Sequence, residues 1–344
     1  MSLQLWTMGL PETGSAPFQA ELAQLAGWDG ITFVDSQNLV GDPFVAIALA
    51  ARSTDVLRFA TGVTNAFTRH PAALATVAAT VQEECGGRFV LGIGRGDTAL
   101  FHLGHRPMPV ATFADRVRAL QAYLSGDTLD LDGTPSRIRW LDRARQPKVP
   151  LDIAASGPRM LELAGEVAEQ ITLAVGADPE RVAWALGLAR DAAAAAGRDP
   201  ASVSFGMYVN VGCHPDVDAA RALIAGGVAA FAHFSAMPGS TGAGLGAEDR
   251  AVVEEVGRRY DSNHHLDNTA EHTGALRPEF VDRFAIVGPP PVVVDRINGL
   301  RALGVERFVI TGPSFRSDRD HARTAGALLT EEVLPAVRAG GSAS

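Results

Sequence analysis

Short apolar runs typical of buried β-strands alternate along the chain with longer segments in which apolar residues recur at helical spacing. Strands that alternate with helices pair in parallel through right-handed crossovers. The pattern contains eight strand–helix units, with strands at residues 3–8, 31–34, 57–61, 88–93, 150–154, 170–174, 203–209 and 307–310. Because eight is the number of units that closes such a sheet, we predict a (β/α)8 TIM barrel with insertion segments, forming a single domain over residues 1–339.

Two stretches interrupt this alternation. Residues 126–148 carry turn signals and a short extended stretch at 137–140, whereas residues 235–277, between the seventh predicted helix and the eighth strand, are rich in glycine, histidine and charge. Long excursions of this kind are typical of lids or substrate loops, although a surface excursion without a function has the same signature. The small and polar ending at residues 340–344 predicts a disordered tail.

Charge and composition narrow the class of partner. The formal net charge of −9 argues against nucleic acid or an anionic membrane, which leaves a small-molecule substrate. The chain has no uninterrupted apolar run of about 18 residues and no basic start followed by a cleavage site, so we expect a cytoplasmic protein without a membrane span. Cys85 and Cys213 lie far apart in sequence, so no disulfide framework or structural zinc site is predicted.

The chain contains a single lysine, Lys148. A P-loop requires the lysine of G-x-x-x-x-G-K-[ST], and that string is absent from the sequence. Schiff-base and pyridoxal-phosphate enzymes also need a lysine amine. Because Lys148 precedes its predicted strand, it would lie at the amino end of a barrel, opposite the end that carries catalytic residues. These mechanisms are therefore excluded.

Small, polar or glycine residues follow four of the predicted strands, at the end of a barrel where its chemistry lies. These stretches are residues 35–38, 61–65, 94–98 and 155–158. Together they predict a cleft in which the backbone approaches a flat or phosphorylated ligand closely. Ser156-Gly157-Pro158 leads directly into a predicted helix, whose free N–H groups can bind an anion, although a plain serine N-cap has the same sequence.

Two motifs after the fourth strand indicate other kinds of site. Residues 94–99 fit the dinucleotide pattern G-x-G-x-x-A, but they belong to the fourth unit and the next predicted helix, at 112–124, does not begin inside the motif. His102-x-x-His105, with Asp97 nearby, has a spacing close to that of metal ligands. Since the first strand offers no ligand, we predict no metal site and assign both histidines to the substrate.

Residues 61–65, 68–71, 91–97 and 153–158 resemble the luciferase-like superfamily of flavin- and deazaflavin-dependent oxidoreductases. They look most like the branch that contains methylenetetrahydromethanopterin reductase and deazaflavin-dependent glucose-6-phosphate dehydrogenase, and the resemblance runs from the first strand to the last helix. It implies a (β/α)8 barrel that transfers a hydride between coenzyme F420, a deazaflavin, and an unidentified small organic substrate. The alternatives are an FMN-dependent monooxygenase of the luciferase type and a non-catalytic flavin-binding barrel.

The same resemblance implies roles for individual residues. The bond Gly62–Val63 would be a non-prolyl cis peptide in a bulge on which the ring rests. The cofactor would be bound by Asp35, Ser36, Thr61, Gly62, Val63, Asn65, Gly94, Arg95 and Gly96, and its phosphate by Ala155, Ser156, Gly157 and Pro158. Members of the family commonly form dimers or higher assemblies, so we expect a homodimer or a higher homo-oligomer.

Asp97 matches the position of a glutamate proposed as an acid in the sugar-phosphate dehydrogenase branch. An aspartate is one methylene shorter, and acting as an acid at neutral pH would require burial or a nearby negative charge. A carboxylate that merely braces its loop is the alternative. We assign the substrate pocket to His102, His105 and Trp140, with His233 and Phe234 as further candidates, and the path of the cofactor's anionic tail to Arg69, Arg95 and Arg159.

Overall fold

The computed structural model describes residues 3–240 and 242–340, and strands alternate with helices throughout that part of the chain. The strands are β1 (Gln4–Gly9), β2 (Gly30–Phe33), β3 (Arg58–Thr61), β4 (Thr64–Asn65), β5 (Phe89–Gly94), β6 (Leu129–Leu131), β7 (Thr134–Ser136), β8 (Leu151–Ala155), β9 (Gln170–Leu173), β10 (Ser204–Cys213), β11 (Ile286–Gly288) and β12 (Arg307–Thr311). Apart from Gly340, the tail predicted to be disordered lies outside the described residues.

The helices connect these strands in chain order. They are α1 (Ala16–Leu25), α2 (Pro43–Ala50), α3 (Pro71–Glu84), α4 (Thr98–Phe101), α5 (Val110–Ser125), α6 (Pro158–Val167), α7 (Pro179–Ala195), α8 (Val217–Ala236), α9 (Ala247–Arg259), α10 (Pro278–Phe284), α11 (Pro290–Ala302), α12 (Arg319–Leu328) and α13 (Leu334–Ala339). Short 3-10 turns occupy Ala51–Ser53, Arg139–Arg143, Pro200–Ser202, Ser262–His264 and Glu271–Ala275, and a π-helical turn occupies Leu329–Val333.

The main sheet follows the hydrogen-bonded order β11-β10-β12-β1-β2-β3-β5-β8-β9, and β9 also pairs with β10, which closes the path. Its registered strand pairs are parallel. The eight strands of the closed path coincide with the eight predicted runs, so the predicted (β/α)8 barrel is confirmed. Its packing explains Gly30, where a Cβ would lie 2.4 Å from the Trp6 ring.

The described chain divides into two compact units. The N-terminal unit comprises residues 6–154 and 166–170, and the C-terminal unit comprises residues 3–5, 155–165, 171–240 and 242–340. Each unit has its own buried aromatic groups: Phe44 packs edge-to-face on Phe89 in the N-terminal unit, and Phe280 stacks on Phe284 in the C-terminal unit. Burial of such rings is the main favourable contribution to folding in each unit.

Residues 126–148, which we call the hairpin excursion, differ from the prediction. The extended stretch expected at 137–140 is wrong: β6 and β7 pair antiparallel before it, and Arg139–Arg143 is a 3-10 turn. The hairpin forms because Asp132 and Gly133 both adopt positive φ, of 51° and 81°, as a tight two-residue turn requires. Since the excursion follows α5 and leads into β8, it lies at the amino ends of the strands. A lid over a site at the carboxyl ends of the strands cannot be located there.

The second predicted insertion, 235–277, is also misplaced, because α8 is not the seventh barrel helix. The helix that leads into β12 is α11, so the whole of residues 214–289 departs from the carboxyl end of β10. We call this segment the long excursion. Its first helix, α8, begins against that end, since a Cβ on Gly212 would lie 2.2 Å from the carbonyl oxygen of Ala220.

The apolar pattern of α8 is the same as that of a barrel helix because α8 is buried like one. Among the described helices, α8 is the one whose length and apolar composition would suit a membrane span, but 67% of its apolar window is buried inside the protein. It is therefore a core helix of the C-terminal unit.

Candidate functional site

A buried carboxylate organises the loops that follow β2 and β4 in the N-terminal unit. Asp35 accepts hydrogen bonds from Thr64 Oγ1 at 2.6 Å and from Arg69 Nη1 at 3.0 Å, both at the same oxygen. The other terminal nitrogen of Arg69 bonds Asp42, the N-cap of α2. Arg69 is thus held by two carboxylates. Its predicted role on the path of an anionic tail is not supported by this geometry, because its charge is already compensated.

The residues at the end of β3 pack closely on β5. The peptide bond between Gly62 and Val63 is cis, as the resemblance implied. Thr61 Oγ1 donates to the carbonyl oxygen of Gly92 at 2.6 Å, and a Cβ on Gly92 would lie 2.1 Å from the carbonyl oxygen of Thr61. Only a glycine in β5 permits this approach, which fixes the position of the backbone at residues 61–63.

The side chain of Asn65 places a buried hydrogen-bond donor beside the backbone of Gly96, which has no side chain. Its Oδ1 accepts from the backbone N–H groups of Phe67 and Thr68 at 3.0 and 2.9 Å, which fixes the amide plane. The side chain is 2% exposed, and its Nδ2 has no partner among the described residues. The Cβ of Asn65 lies 3.4 Å from where a Cβ on Gly96 would be. A buried donor without a partner is costly, so this one indicates a ligand acceptor.

Asp97 lies directly after this glycine-containing stretch. The short helix α4 begins at Thr98, within the motif at residues 94–99, so the expectation that no helix begins inside the motif is wrong. Burial lowers the pKa of the neighbouring Arg95 guanidinium, and the charge of Asp97 opposes that shift. The charge beside Asp97 is therefore positive, opposite in sign to the one that the interpretation as an acid requires.

The three side chains predicted to line the substrate pocket are not all brought together. Nε2 of His102 is buried without a partner among the described residues, and the exposed His105 ring lies against Phe67 with ring centroids 4.6 Å apart. Trp140, by contrast, lines a surface groove with Glu83, at the end of α3 that leads into β5. Trp140 is therefore at the amino ends of the strands and is not part of this site.

The turn at residues 155–158 lies in the C-terminal unit between β8 and α6. Ser156 Oγ donates to the carbonyl oxygen of Phe234 at 3.3 Å, and a Cβ on Gly157 would lie 2.2 Å from Ser240 Oγ. The long excursion thus lies directly on this turn. Arg159 is exposed in the first turn of α6, where the helix dipole disfavours a cation and favours an anion.

Sequence reasoning missed the residue that fastens the long excursion. Arg181, in the first turn of α7, is fully buried and donates from Nη1 to the Val175 carbonyl oxygen at 2.7 Å and to Ser235 Oγ at 3.1 Å. Its Nε donates to the carbonyl oxygen of Ala243 at 3.1 Å. Burial lowers its pKa to about 10. No local signal distinguishes this arginine from others near helix starts, because its partners are distant in sequence.

His233 and Phe234 belong to an aromatic cluster within the long excursion. The ring of His233 stacks on Tyr260 with centroids 3.9 Å apart, and the ring of Phe234 lies 6.2 Å from that of His265. Tyr260 Oη and His265 Nδ1 are 2.5 Å apart. The neighbouring His272 is fully buried, and burial lowers its pKa. No local pattern in the sequence singles out Tyr260, since its partners come from different helices and turns.

Comparisons with known proteins agree on one family. A family model described as luciferase-like monooxygenase matches residues 8–307. The 5,10-methylenetetrahydromethanopterin reductase of Methanolobus tindarius is 30% identical over 297 residues, covering 86% of this chain and 89% of the relative.

Two solved structures are similar over nearly their whole length. The coenzyme F420-dependent tetrahydromethanopterin reductase of Methanopyrus kandleri has a TM-score of 0.73 at 22% identity, with 97% of this chain and 99% of that chain covered. An F420-dependent secondary alcohol dehydrogenase, in complex with an F420–acetone adduct, has a TM-score of 0.74 at 18% identity, with 98% and 100% covered. At these identities the likeness shows the fold.

Proposed function

Because the chain belongs to the luciferase-like monooxygenase family, we propose that this oxidoreductase uses coenzyme F420 and transfers a hydride between the deazaflavin and a small organic substrate. The family also suggests the alternative, an FMN-dependent monooxygenase. The similarity to reductases and dehydrogenases supports the hydride-transfer proposal. When bound, the cofactor supplies the hydride chemistry, and the protein supplies binding, orientation and proton placement.

The observation that carries the proposal is the orphan amide of Asn65. Its fixed Nδ2 offers one hydrogen bond to an acceptor on the edge of a flat ring. Such a ring would lie against the backbone of Gly94 and Gly96, with the Gly62–Val63 bond beside it. The further residues that we assign to the ring are Asp35, Ser36, Thr61 and Arg95.

A deazaflavin cofactor also carries a phosphate and an acidic tail. In the C-terminal unit, the turn Ala155-Ser156-Gly157-Pro158 and the N–H groups of α6 have the chemistry to hold a phosphate, and Arg159 is an exposed cation in the same turn. A protein with a net charge of −9 needs such local donors to bind an anion. Arg69 is already paired, so we no longer assign it to the tail.

Reduction of a carbonyl by hydride also requires a proton at the carbonyl oxygen. Asp97 is the side chain we propose for this step. We also assign His102 to the substrate, because its Nε2 is buried without a partner among the described residues. The charge of Arg95 acts on Asp97, so an acid role for Asp97 requires that its environment change when the site is filled.

A fluorescence titration with F420, and separately with FMN, tests the proposal. We expect tighter binding of F420. Asn65→Asp keeps the oxygen that fixes the loop but removes the amide donor, so F420 affinity should fall about tenfold or more. Asn298→Asp, at an amide on α11 away from these loops, is the matched control. Asp97→Asn should reduce turnover and leave F420 affinity unchanged.

Each alternative gives a distinct result. Tighter binding of FMN than of F420 would overturn the proposal and favour the monooxygenase. If every variant binds F420 with the same affinity and none turns over any carbonyl or alcohol, the non-catalytic barrel is favoured.

We further propose that the enzyme is cytoplasmic, binds neither nucleic acid nor membranes, and forms a homodimer or a higher homo-oligomer. Support for self-association comes from an exposed apolar face on α1, α2 and the turn after them. Its residues are Phe18, Leu22, Leu25, Val45, Leu49 and Val56. Monomeric proteins rarely expose so many large apolar side chains together.

A further inference from the structure

Four large apolar side chains stand exposed on the loops of the candidate site in the N-terminal unit. Leu39, Phe67, Phe101 and Leu103 are 53%, 39%, 46% and 41% exposed. We call these four residues the apolar rim. They come from three separate loops, which follow β2, β4 and β5. Exposed apolar surface that is gathered around a site, rather than scattered, marks a place that binds apolar groups.

Hydrogen bonds and ring contacts hold these loops together. Gln37 Nε2 donates to the carbonyl oxygen of Ala99 at 2.8 Å, and Asn38 Nδ2 donates to that of His102 at 3.3 Å. These bonds join the loop of Leu39 to the segment that carries Phe101 and Leu103.

The third loop reaches the same segment through a ring contact. The ring of Phe67 lies against His105, and the backbone N–H of His105 donates to the carbonyl oxygen of Leu100 at 2.9 Å. The three loops that carry the rim are therefore connected to one another, while its four apolar side chains remain partly exposed.

The rim adjoins the polar groups that we assign to the reaction. Phe67 is two residues after Asn65, whose Oδ1 accepts from the backbone N–H of Phe67, and Phe101 ends the helix that begins after Asp97. The arginines nearby are poorly suited to a multiply charged substrate. Arg69 bonds two carboxylates, and Arg95 faces Asp97, which leaves Arg106 as the exposed guanidinium of these loops.

We infer that the substrate carries an extended apolar body, aliphatic or aromatic, attached to the carbonyl or alcohol carbon that exchanges the hydride. This inference rests on the proposed function. In the reducing direction, the carbonyl carbon gains a hydride from the reduced deazaflavin and its oxygen gains a proton. The carbon–oxygen π bond breaks, a carbon–hydrogen bond and an oxygen–hydrogen bond form, and the deazaflavin leaves oxidised. The apolar body lies on the rim, and its burial contributes the binding free energy.

The experiment uses straight-chain methyl ketones of increasing length with reduced F420. Each methylene that reaches the rim should raise kcat/KM about two- to fourfold, until the rim is covered. Phe101→Ser and Leu103→Ser should flatten this dependence, lowering kcat/KM for long ketones about tenfold while leaving short ketones and F420 affinity unchanged. Leu131→Ser, which removes an apolar side chain 43% exposed on β6 of the hairpin excursion, is the matched control and should leave the series unchanged.

Three results would overturn the inference. The first is an equal dependence on chain length in the rim variants and the wild type, and the second is faster turnover of a sugar phosphate than of any ketone. A change of oligomeric state in Phe101→Ser without a change in the ketone series would assign the rim to a second copy of the chain instead, which also overturns it.

Calorimetric binding of a long-chain alcohol to the cofactor-free protein separates this inference from the proposed function. Binding that weakens in Phe101→Ser and Leu103→Ser supports the rim even where F420 does not bind. F420 binding and turnover with no affinity for the alcohol would leave the proposed function standing and refute the apolar substrate.

Discussion

The hairpin excursion at residues 126–148 and the long excursion at residues 214–289 differ in what they are fastened to. The hairpin excursion ends on a carboxylate of α3: Glu83 accepts from the backbone N–H groups of Arg145 at 3.0 Å and of Gln146 at 2.7 Å. The long excursion is fastened by Arg181 to the segment after β9, and it lies on the turn that begins α6. The hairpin excursion is therefore attached near the amino ends of the strands, where the helices end. The long excursion is attached near the carboxyl ends of the strands.

This difference teaches that an insertion's role follows from the element it departs from. A connection from a helix to the next strand returns at the amino ends of a barrel, whereas a connection from a strand departs at the carboxyl ends, where barrel enzymes place their sites. We therefore expect the hairpin excursion to contribute to stability alone. The long excursion should contribute to stability and also position the turn at residues 155–158, to which we assign the cofactor's phosphate.

The largest expected effect is that of Arg181→Met. The substitution leaves the carbonyl oxygens of Val175 and Ala243 and the hydroxyl of Ser235 without their buried donor, at a cost of about 3–5 kcal/mol in the free energy of unfolding. Urea unfolding measures this loss. F420 affinity should also fall, because Ser240 is no longer held against Gly157.

Arg181→Lys is the matched variant, since it keeps the charge but loses the planar fork, and it should fall between the wild type and Arg181→Met in both measurements. If both variants unfold at a lower urea concentration but bind F420 with unchanged affinity, the long excursion has no positioning role.

A smaller effect is expected at the hairpin excursion. Glu83→Gln weakens the acceptor for the N–H groups of Arg145 and Gln146, so the free energy of unfolding should fall by about 1–2 kcal/mol. F420 affinity should not change. Glu84→Gln is the control, since its exposed ion pair with Arg52 at 3.9 Å contributes little, about 0.5 kcal/mol or less. A loss of cofactor affinity in Glu83→Gln would remove the contrast between the excursions.

The sequence was sufficient for the barrel and for the short loops of the site. Strand runs and strand-end residues such as Asn65 and Gly94 are local signals, because close packing demands glycine or a small polar residue at one position. The resemblance further supplied the cis bond at Gly62–Val63, which the structure contains. These features depend on contacts between strands that are already predicted to be neighbours by the repeating strand–helix pattern.

The features that sequence reasoning missed depend on contacts between distant segments. Periodicity cannot distinguish α8 from a barrel helix, because both bury an apolar face. Arg181 bonds Ser235 and Ala243, more than fifty residues away, and Tyr260 stacks on His233 of a different helix. Trp140 was misplaced because its helix-to-strand connection was interpreted as a lid. Predicting the roles of these residues requires knowing first which helices and strands are neighbours in the fold.

The smallest expected effect is a dependence of the long excursion on pH. Burial lowers the pKa of His272 below its usual value of about 6.5, and the charges of His233 and His264 lower it further, while those of Asp261 and Asp267 oppose the shift. Below about pH 6.5 the unfolded chain binds a proton that the folded chain resists, so stability is full above that pH and falls as the pH drops toward the lowered value.

Hydrogen exchange at neutral pH and at about pH 5.5 should therefore show faster exchange in the long excursion at acidic pH, with the hairpin excursion unchanged, since residues 126–148 contain no histidine. His272→Gln should remove the difference, whereas His321→Gln, at an exposed histidine, should retain it. Equal loosening of both excursions at acidic pH would show that the effect arises from the whole fold and not from the buried imidazole. Loosening confined to the long excursion would make acidic pH a selective probe of the segment that lies on the turn at residues 155–158.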